Sequence, residues 1–142
     1  MHDPYDLERF VAAQNAVFEQ VRAELRAGRK RTHWMWFVFP QMKGLGHSAM
    51  AEKYAIASQE EAAAYLEHPI LGPRLRECTA LVNQVEGRSL DQIFGYPDDL
   101  KFRSSMTLFS QVDTAPPLFD AALKRYFGGQ PDARTLQILA PA

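Results

Sequence analysis

The chain has 142 residues, 46% of them hydrophobic, which is enough for one domain with a real core. Its 16 basic and 17 acidic residues leave a net charge of −1, so no global attraction draws it to nucleic acid. No apolar run approaches the roughly 20 residues of a membrane span, and residues 1–4 lack the basic region and apolar stretch that open a signal peptide. Cys78 is the single cysteine, which rules out an internal disulfide and a cysteine metal cluster and leads us to expect a reduced, cytoplasmic protein.

Asp3-Pro4 reads as a helix start, an acceptor side chain followed by proline in the first turn. Leu7, Phe10, Val11, Val17, Phe18, Val21 and Leu25 continue that helix at its spacing, and Gly28 ends it. Gln14 falls on the same apolar face and therefore needs a polar partner, in the fold or in a ligand. Arg22, Arg26, Arg29, Lys30 and Arg31 make the end of this helix and its loop basic. That charge suits a helix C-terminus and would also suit a docked phosphate.

Thr32-His33-Trp34-Met35-Trp36-Phe37-Val38-Phe39-Pro40-Gln41 holds both tryptophans of the chain. Its aromatic density suits a buried strand, whereas Thr32 as cap and Pro40 as stop suit a short helix. A lone strand would leave its ladder groups unpaired, and no second strand is evident, so a short buried helix is expected. Gly44-Leu45-Gly46-His47-Ser48 follows as a tight loop, with Ser48 as cap of a helix carrying Met50 and Tyr54.

Ser58-Gln59-Glu60-Glu61 is a capping box opening a helix through Leu66, which His68-Pro69 breaks. Leu75, Cys78, Leu81, Val82 and Val85 form the inner face of the next helix, closed by Gly87. Ser89 with Gln92 caps a short helix ending at Gly95, and Tyr96-Pro97 makes a corner. Phe102, Met106 and Phe109 lie on one face of a helix begun by Asp98 or Asp99, with Lys101, Arg103, Ser104, Ser105 and Thr107 as its polar positions. Residues 118–127 form a helix stopped by Gly128-Gly129, and Asp132 caps a last short one. Seven or eight helices with short loops and no repeat predict a single compact all-α domain over residues 1–142.

Candidate chemistry is sparse. His33, His47 and His68 lack metal-ligand spacing and His2 is terminal, so neither a metal site nor a cofactor is expected. Cys78 on an apolar helix face is a poor thiolate, and there is no Gly-x-Ser-x-Gly elbow. Lys101 and Ser105 stand four apart as a base and nucleophile would, though a hydroxyl bonded back to the helix is the commoner arrangement. Gly44 and Gly46 before a helix start can present backbone N–H groups to an anion, or simply make a turn. His33 and His47 are the groups that titrate near neutrality; a core role for His33 and a loop or cap role for His47 compete with that reading. Trp34 and Trp36 are either core residues or the walls of a stacking pocket, and each indole N–H needs an acceptor.

With these motifs in view, the chain resembles an uncharacterised bacterial family, domain of unknown function 1810. The resemblance spans about residues 6–139. It rests on His33-Trp34-Met35-Trp36-Phe37-Val38-Phe39-Pro40-Gln41, on Gly44-Leu45-Gly46-His47-Ser48, on His68-Pro69-Ile70-Leu71-Gly72-Pro73 and on Asp99-Leu100-Lys101-Phe102-Arg103-Ser104-Ser105. It implies a small helical intracellular protein and no particular activity. Some members carry the label calpastatin, which fits a long disordered inhibitor and not this folded composition. In size and all-helical character the chain is also similar to the NADAR proteins of ADP-ribose and riboflavin-precursor chemistry, a likeness of fold alone.

Three readings of function follow, the last being that the aromatic stretch is only core and any activity lies elsewhere. In the first, a nucleotide, nucleoside or ADP-ribose-like molecule binds, with Trp34 and Trp36 as walls, Gly44, Gly46 and Ser48 at its anion, Gln41 orienting it and Lys101 on a phosphate or carboxylate. His33 or His47 would be the catalytic group if the molecule is hydrolysed, and N-glycosidic cleavage would call on Glu52, Asp98 or Asp99 as carboxylate. In the second, residues 34–39 form an exposed aromatic patch for a protein partner, homodimerisation being one version. No reading involves nucleic acid or a membrane.

Overall fold

The first helix does not start at Asp3-Pro4: its N-cap is Leu7, and Asp3 reaches the helix start from outside it. Its carboxylate accepts from the Leu7 N–H at 2.9 Å and the Glu8 N–H at 3.0 Å, and these two bonds hold its pKa below the ordinary carboxylate value. In the computed structural model, which describes residues 3–140, α1 therefore runs over Glu8–Asn15. His2 lies outside the described residues.

The single long helix expected here is two. α2 covers Phe18–Arg26, and the chain breaks at Val17, whose φ is −131°. The break lets α1 lie against α3 (Met35–Val38) while α2 lies against α6 (Leu71–Gln84). α3 is the short buried helix expected of the aromatic stretch. The structure has no strand among the described residues, and a lone bridge joins Met42 to Ile56.

The remaining elements are α4 (Ala49–Lys53), α5 (Gln59–Glu67), α7 (Leu90–Phe94), α8 (Asp98–Ser110), α9 (Leu118–Phe127) and α10 (Ala133–Leu139). Ten helices among the described residues exceed the seven or eight expected, and the all-α class holds. Ser48, Ser58, Ser89 and Asp132 each accept from the backbone N–H three residues on. Ser89 and Gln92 complete a reciprocal capping box. Glu61 does not return to Ser58. It bonds the Ala57 N–H at 3.1 Å and the Arg9 guanidinium at 3.0 Å, so the box is half made.

α8 is the central element, packed on α5, α7, α9 and α10. That explains why its small polar residues are covered: Ser104, Ser105 and Thr107 are all buried, not a solvated face. The Ser104 hydroxyl donates back to the Leu100 carbonyl at 3.1 Å and that of Thr107 to the Arg103 carbonyl at 2.9 Å. Phe102 meets Phe39 and Phe94, each at 5.1 Å between ring centroids, and Trp34 packs on the same two neighbours. Each such ring contributes about 2–3 kcal/mol by burial.

Gln14 and Cys78 serve the core. The Gln14 amide donates to the Phe37 carbonyl at 2.6 Å and to the Tyr65 hydroxyl at 3.0 Å. Burial pushes the Cys78 thiol up to about 12.

Candidate functional site

Placement of the site begins at Glu24, a buried carboxylate on α2. It accepts from the Arg31 N–H at 2.7 Å, the Thr32 N–H at 3.1 Å, the Thr32 hydroxyl at 2.6 Å and the Trp34 indole at 2.9 Å. Burial raises the pKa of this carboxyl, and the four bonds outweigh it and bring the group down to about 2. The loop after α2 is thereby fixed, Trp34 is drawn inward, and α3 starts with Trp36 on the other side. Trp36 is half-buried, and the Lys101 ammonium from α8 sits 5.6 Å from its ring centroid.

The next segment is pinned from behind. The Ile56 N–H donates to the Gln41 carbonyl at 2.9 Å and the Lys43 N–H to the Ile56 carbonyl at 2.8 Å. Gly44 then takes φ 100°, a left-handed value that favours glycine. Gly46 is required by closeness, because a Cβ there would stand 2.7 Å from that of Ala51. Arg134 on α10 reaches across to the Gly44 carbonyl at 3.4 Å.

Between this loop, the start of α8 and α10 lies a cleft of about 290 Å3, lined by Gln41, Gly46, Lys101, Ser104 and Arg134 with Leu45, Pro97, Leu100 and Asp132. Across Gly46 is a second cleft of about 390 Å3, lined by Lys43, Gly44, Gly46, His47 and Glu52. Gln41, Gly44, Gly46, His47 and Lys101 are thus gathered on the two sides of one loop, with Trp36 beneath Lys101. Ser48 adjoins them, but its hydroxyl already accepts from the Ala51 N–H at 3.1 Å.

Trp34 and His33 do not join this group. Trp34 is 1% exposed and its indole is bonded to Glu24, so it is core and offers no wall to a ligand. His33 is exposed and lines neither cleft. Nor do residues 34–39 form an exposed aromatic patch: Trp34, Met35, Phe37, Val38 and Phe39 are all buried, because the cluster around Phe94 and Phe102 takes them in. The Lys101–Ser105 pair fails on geometry, since Ser105 is wholly buried within the bundle and Lys101 is half-buried above Trp36. His68 is a cap, with Nδ1 accepting from the Ile70 and Leu71 N–H groups.

Residues 4–139 match the family described as "Protein of unknown function (DUF1810)". The chain belongs to the DUF1810 family. It is similar to a solved structure, that of the conserved hypothetical protein Rv1873 from Mycobacterium tuberculosis, at 61% identity and a TM-score of 0.97, over 99% of this chain and 100% of that one. No curated protein matches.

Within this DUF1810 domain the electrostatics of the smaller cleft follow from three side chains near the start of α8. Asp98 pairs with Lys30 at 2.9 Å and with Lys101 at 3.5 Å, so one carboxylate faces two ammonium groups. Arg134 forms no ion pair among the described residues, and Asp132 is occupied as the α10 cap through Thr135. Asp132 keeps its charge while capping, so Lys101 and Arg134 against Asp132 leave the lining with one positive charge in excess. Of the three carboxylates weighed for catalysis, Asp98 is held by lysines, Asp99 accepts from the Leu100 N–H at 2.9 Å, and Glu52 alone lines a cleft of the loop. Arg134 belongs to no motif of the sequence, so only the fold marks it as a residue of this cleft. No helix among the described residues is long and apolar enough to cross a membrane.

Proposed function

We propose that this protein binds a small anionic molecule, a phosphate ester of the nucleotide or ADP-ribose class, in the cleft beside the 44–46 loop. The observation that carries the reading is that Lys101 and Arg134 line the same cleft with more positive charge than the carboxylates around it neutralise. Gln41 adds an amide that orients the ligand through hydrogen bonds. Trp36 supports the site indirectly, by holding the Lys101 ammonium over its ring.

The catalytic part of the reading rests on His47 and Glu52, which line the adjoining cleft across Gly46. Both are side chains of the kind that acid–base chemistry uses, and in N-glycosidic cleavage Glu52 would be the carboxylate for the developing positive charge. The free, buried Cys78 agrees with a reducing cytoplasmic setting.

A thermal-shift panel of nucleotides, ADP-ribose, sugar phosphates and unphosphorylated nucleosides tests the binding. A ligand at 100-fold excess over its Kd adds about 2.7 kcal/mol, which moves the midpoint of a domain this size by several degrees. Phosphorylated compounds should shift it and nucleosides should not, and Lys101→Ala and Arg134→Ala should each abolish the shift. A panel in which no phosphate ester stabilises the protein would remove the reading. Release of free base by the wild type, lost in His47→Ala, is the separate test of hydrolysis.

A further inference from the structure

We infer that Lys30, which lines neither cleft, sets how tightly the smaller cleft holds an anion, by neutralising Asp98, the carboxylate that would otherwise cancel the charge of Lys101. The inference rests on the anion reading above and adds the residue that controls the strength of that site.

Asp98 opens α8 with an ammonium group at each of its oxygens. Lys30 Nζ stands 2.9 Å from Oδ2, and Lys101 Nζ stands 3.5 Å from Oδ1. The two lysines differ in their freedom. The Lys30 side chain is 6% exposed, its backbone N–H donates to the Ile93 carbonyl at 2.7 Å, and its ammonium lies 5.1 Å from the Trp34 ring centroid. An ammonium so nearly buried keeps its counter-ion, because removing the partner would leave a charge without solvent. The Lys101 side chain is 28% exposed and lines the cleft, so a ligand can reach it.

Charge decides the rest. Lys101 and Arg134 against Asp132 leave the lining with one positive charge in excess. Asp98 is outside that lining, yet it is close enough to Lys101 for an anion bound by Lys101 to feel it. While Lys30 carries its charge, Asp98 is matched and the excess survives. With an uncharged side chain at position 30, Lys101 would be the one ammonium partner left to Asp98 among the described residues, and the excess would be cancelled. Lys30 is thus a positioning residue, acting on the ligand through Asp98 and Lys101.

A unit charge about 7 Å from a bound anion changes its affinity roughly three- to ten-fold under the screening of a protein surface. Calorimetric titration of adenosine 5′-monophosphate into the wild type and into variants at positions 30 and 98 measures this. Lys30→Met, which keeps the length of the side chain and removes its charge, should bind more weakly by that factor. Lys30→Arg should keep the wild-type affinity. Lys30→Met combined with Asp98→Asn, which removes the stranded carboxylate, should return to the wild-type affinity. Asp98→Asn alone should bind more tightly than the wild type by the same factor, a gain that damage to the fold does not produce and that decides the matter should Lys30→Met fail to fold. Unchanged affinity in Lys30→Met, a loss that Asp98→Asn does not restore, or no gain in Asp98→Asn alone overturns the role of Lys30 and leaves the anion site standing. Absence of binding to the wild type overturns the anion reading and this inference with it.

Discussion

Replacing Glu24 by glutamine should weaken the fold in a way that depends on pH. Glu24 is 6% exposed and accepts four hydrogen bonds. They bring its pKa to about 2 from an ordinary value of 4.5. Each unit of that gap is 1.36 kcal/mol, so ionised Glu24 contributes about 3 kcal/mol to the fold. The sign follows from the folded value lying below the unfolded one. The contribution is complete above about pH 5, declines as pH falls through 4.5, and is gone below about pH 2. Glutamine does not titrate, and its amide can still donate to the Thr32 hydroxyl, so the variant folds but loses the acid-sensitive part. Urea denaturation followed by tryptophan emission gives the stability of both proteins at pH 7, 5, 4 and 3. The gap between them should shrink by about 2 kcal/mol from pH 7 to pH 3. A gap that stays constant over this range would refute the argument, since it would mean that Glu24 acts by shape and not by its charge.

Gly46→Ala should cost about 1–3 kcal/mol by thermal denaturation, because the new Cβ meets that of Ala51 at 2.7 Å, and should also weaken anion binding in calorimetry because both clefts share this wall. Gly72→Ala should be worse, about 3 kcal/mol or more, since its Cβ would lie 2.1 Å from the Leu66 carbonyl oxygen, which is backbone and cannot swing aside. Burial, which lifts the Cys78 thiol to about 12, predicts no reaction with an aromatic disulfide reagent at pH 8 in the folded protein and one equivalent after denaturation. Trp36→Phe should leave blue-shifted emission that iodide does not quench, because the remaining Trp34 is 1% exposed.

What the sequence made legible was local. A serine or aspartate three residues ahead of a backbone N–H caps a helix whatever surrounds it, and Ser48, Ser58, Ser89 and Asp132 do so. The break at Val17 was not legible, because α1 and α2 are apolar on one continuous helical face and part only to meet different partners, α3 and α6. The two tryptophans show the same limit. They differ by two positions in one motif, and the sequence says that both indoles need acceptors. Which one enters the core depends on Glu24, a residue of the preceding helix whose own inward position is a fact of packing. Lys101 could be found among the polar positions of its helix, whereas Arg134 reaches the loop only because α10 folds back onto a segment 90 residues earlier.

The charge of the cleft is set by the same kind of long-range packing. Lys30 belongs to the basic run at the end of α2, which by sequence suits a helix C-terminus or a docked phosphate as one unit. The structure divides that run. Arg29 and Arg31 stay exposed, while the Lys30 side chain is 6% exposed, lies 5.1 Å from the Trp34 ring centroid and pairs with Asp98 at 2.9 Å. A nearly buried ammonium cannot do without its counter-ion, so Asp98 is bound to Lys30 first. Lys101 meets the same carboxylate at 3.5 Å and on a more exposed side chain, where the pairing is weaker and more easily screened. The surplus charge beside the 44–46 loop is therefore a consequence of how the core closes over Trp34. The bond from Glu24 to that indole holds the ring against which Lys30 stands, and so bears on how much positive charge is left beside the 44–46 loop.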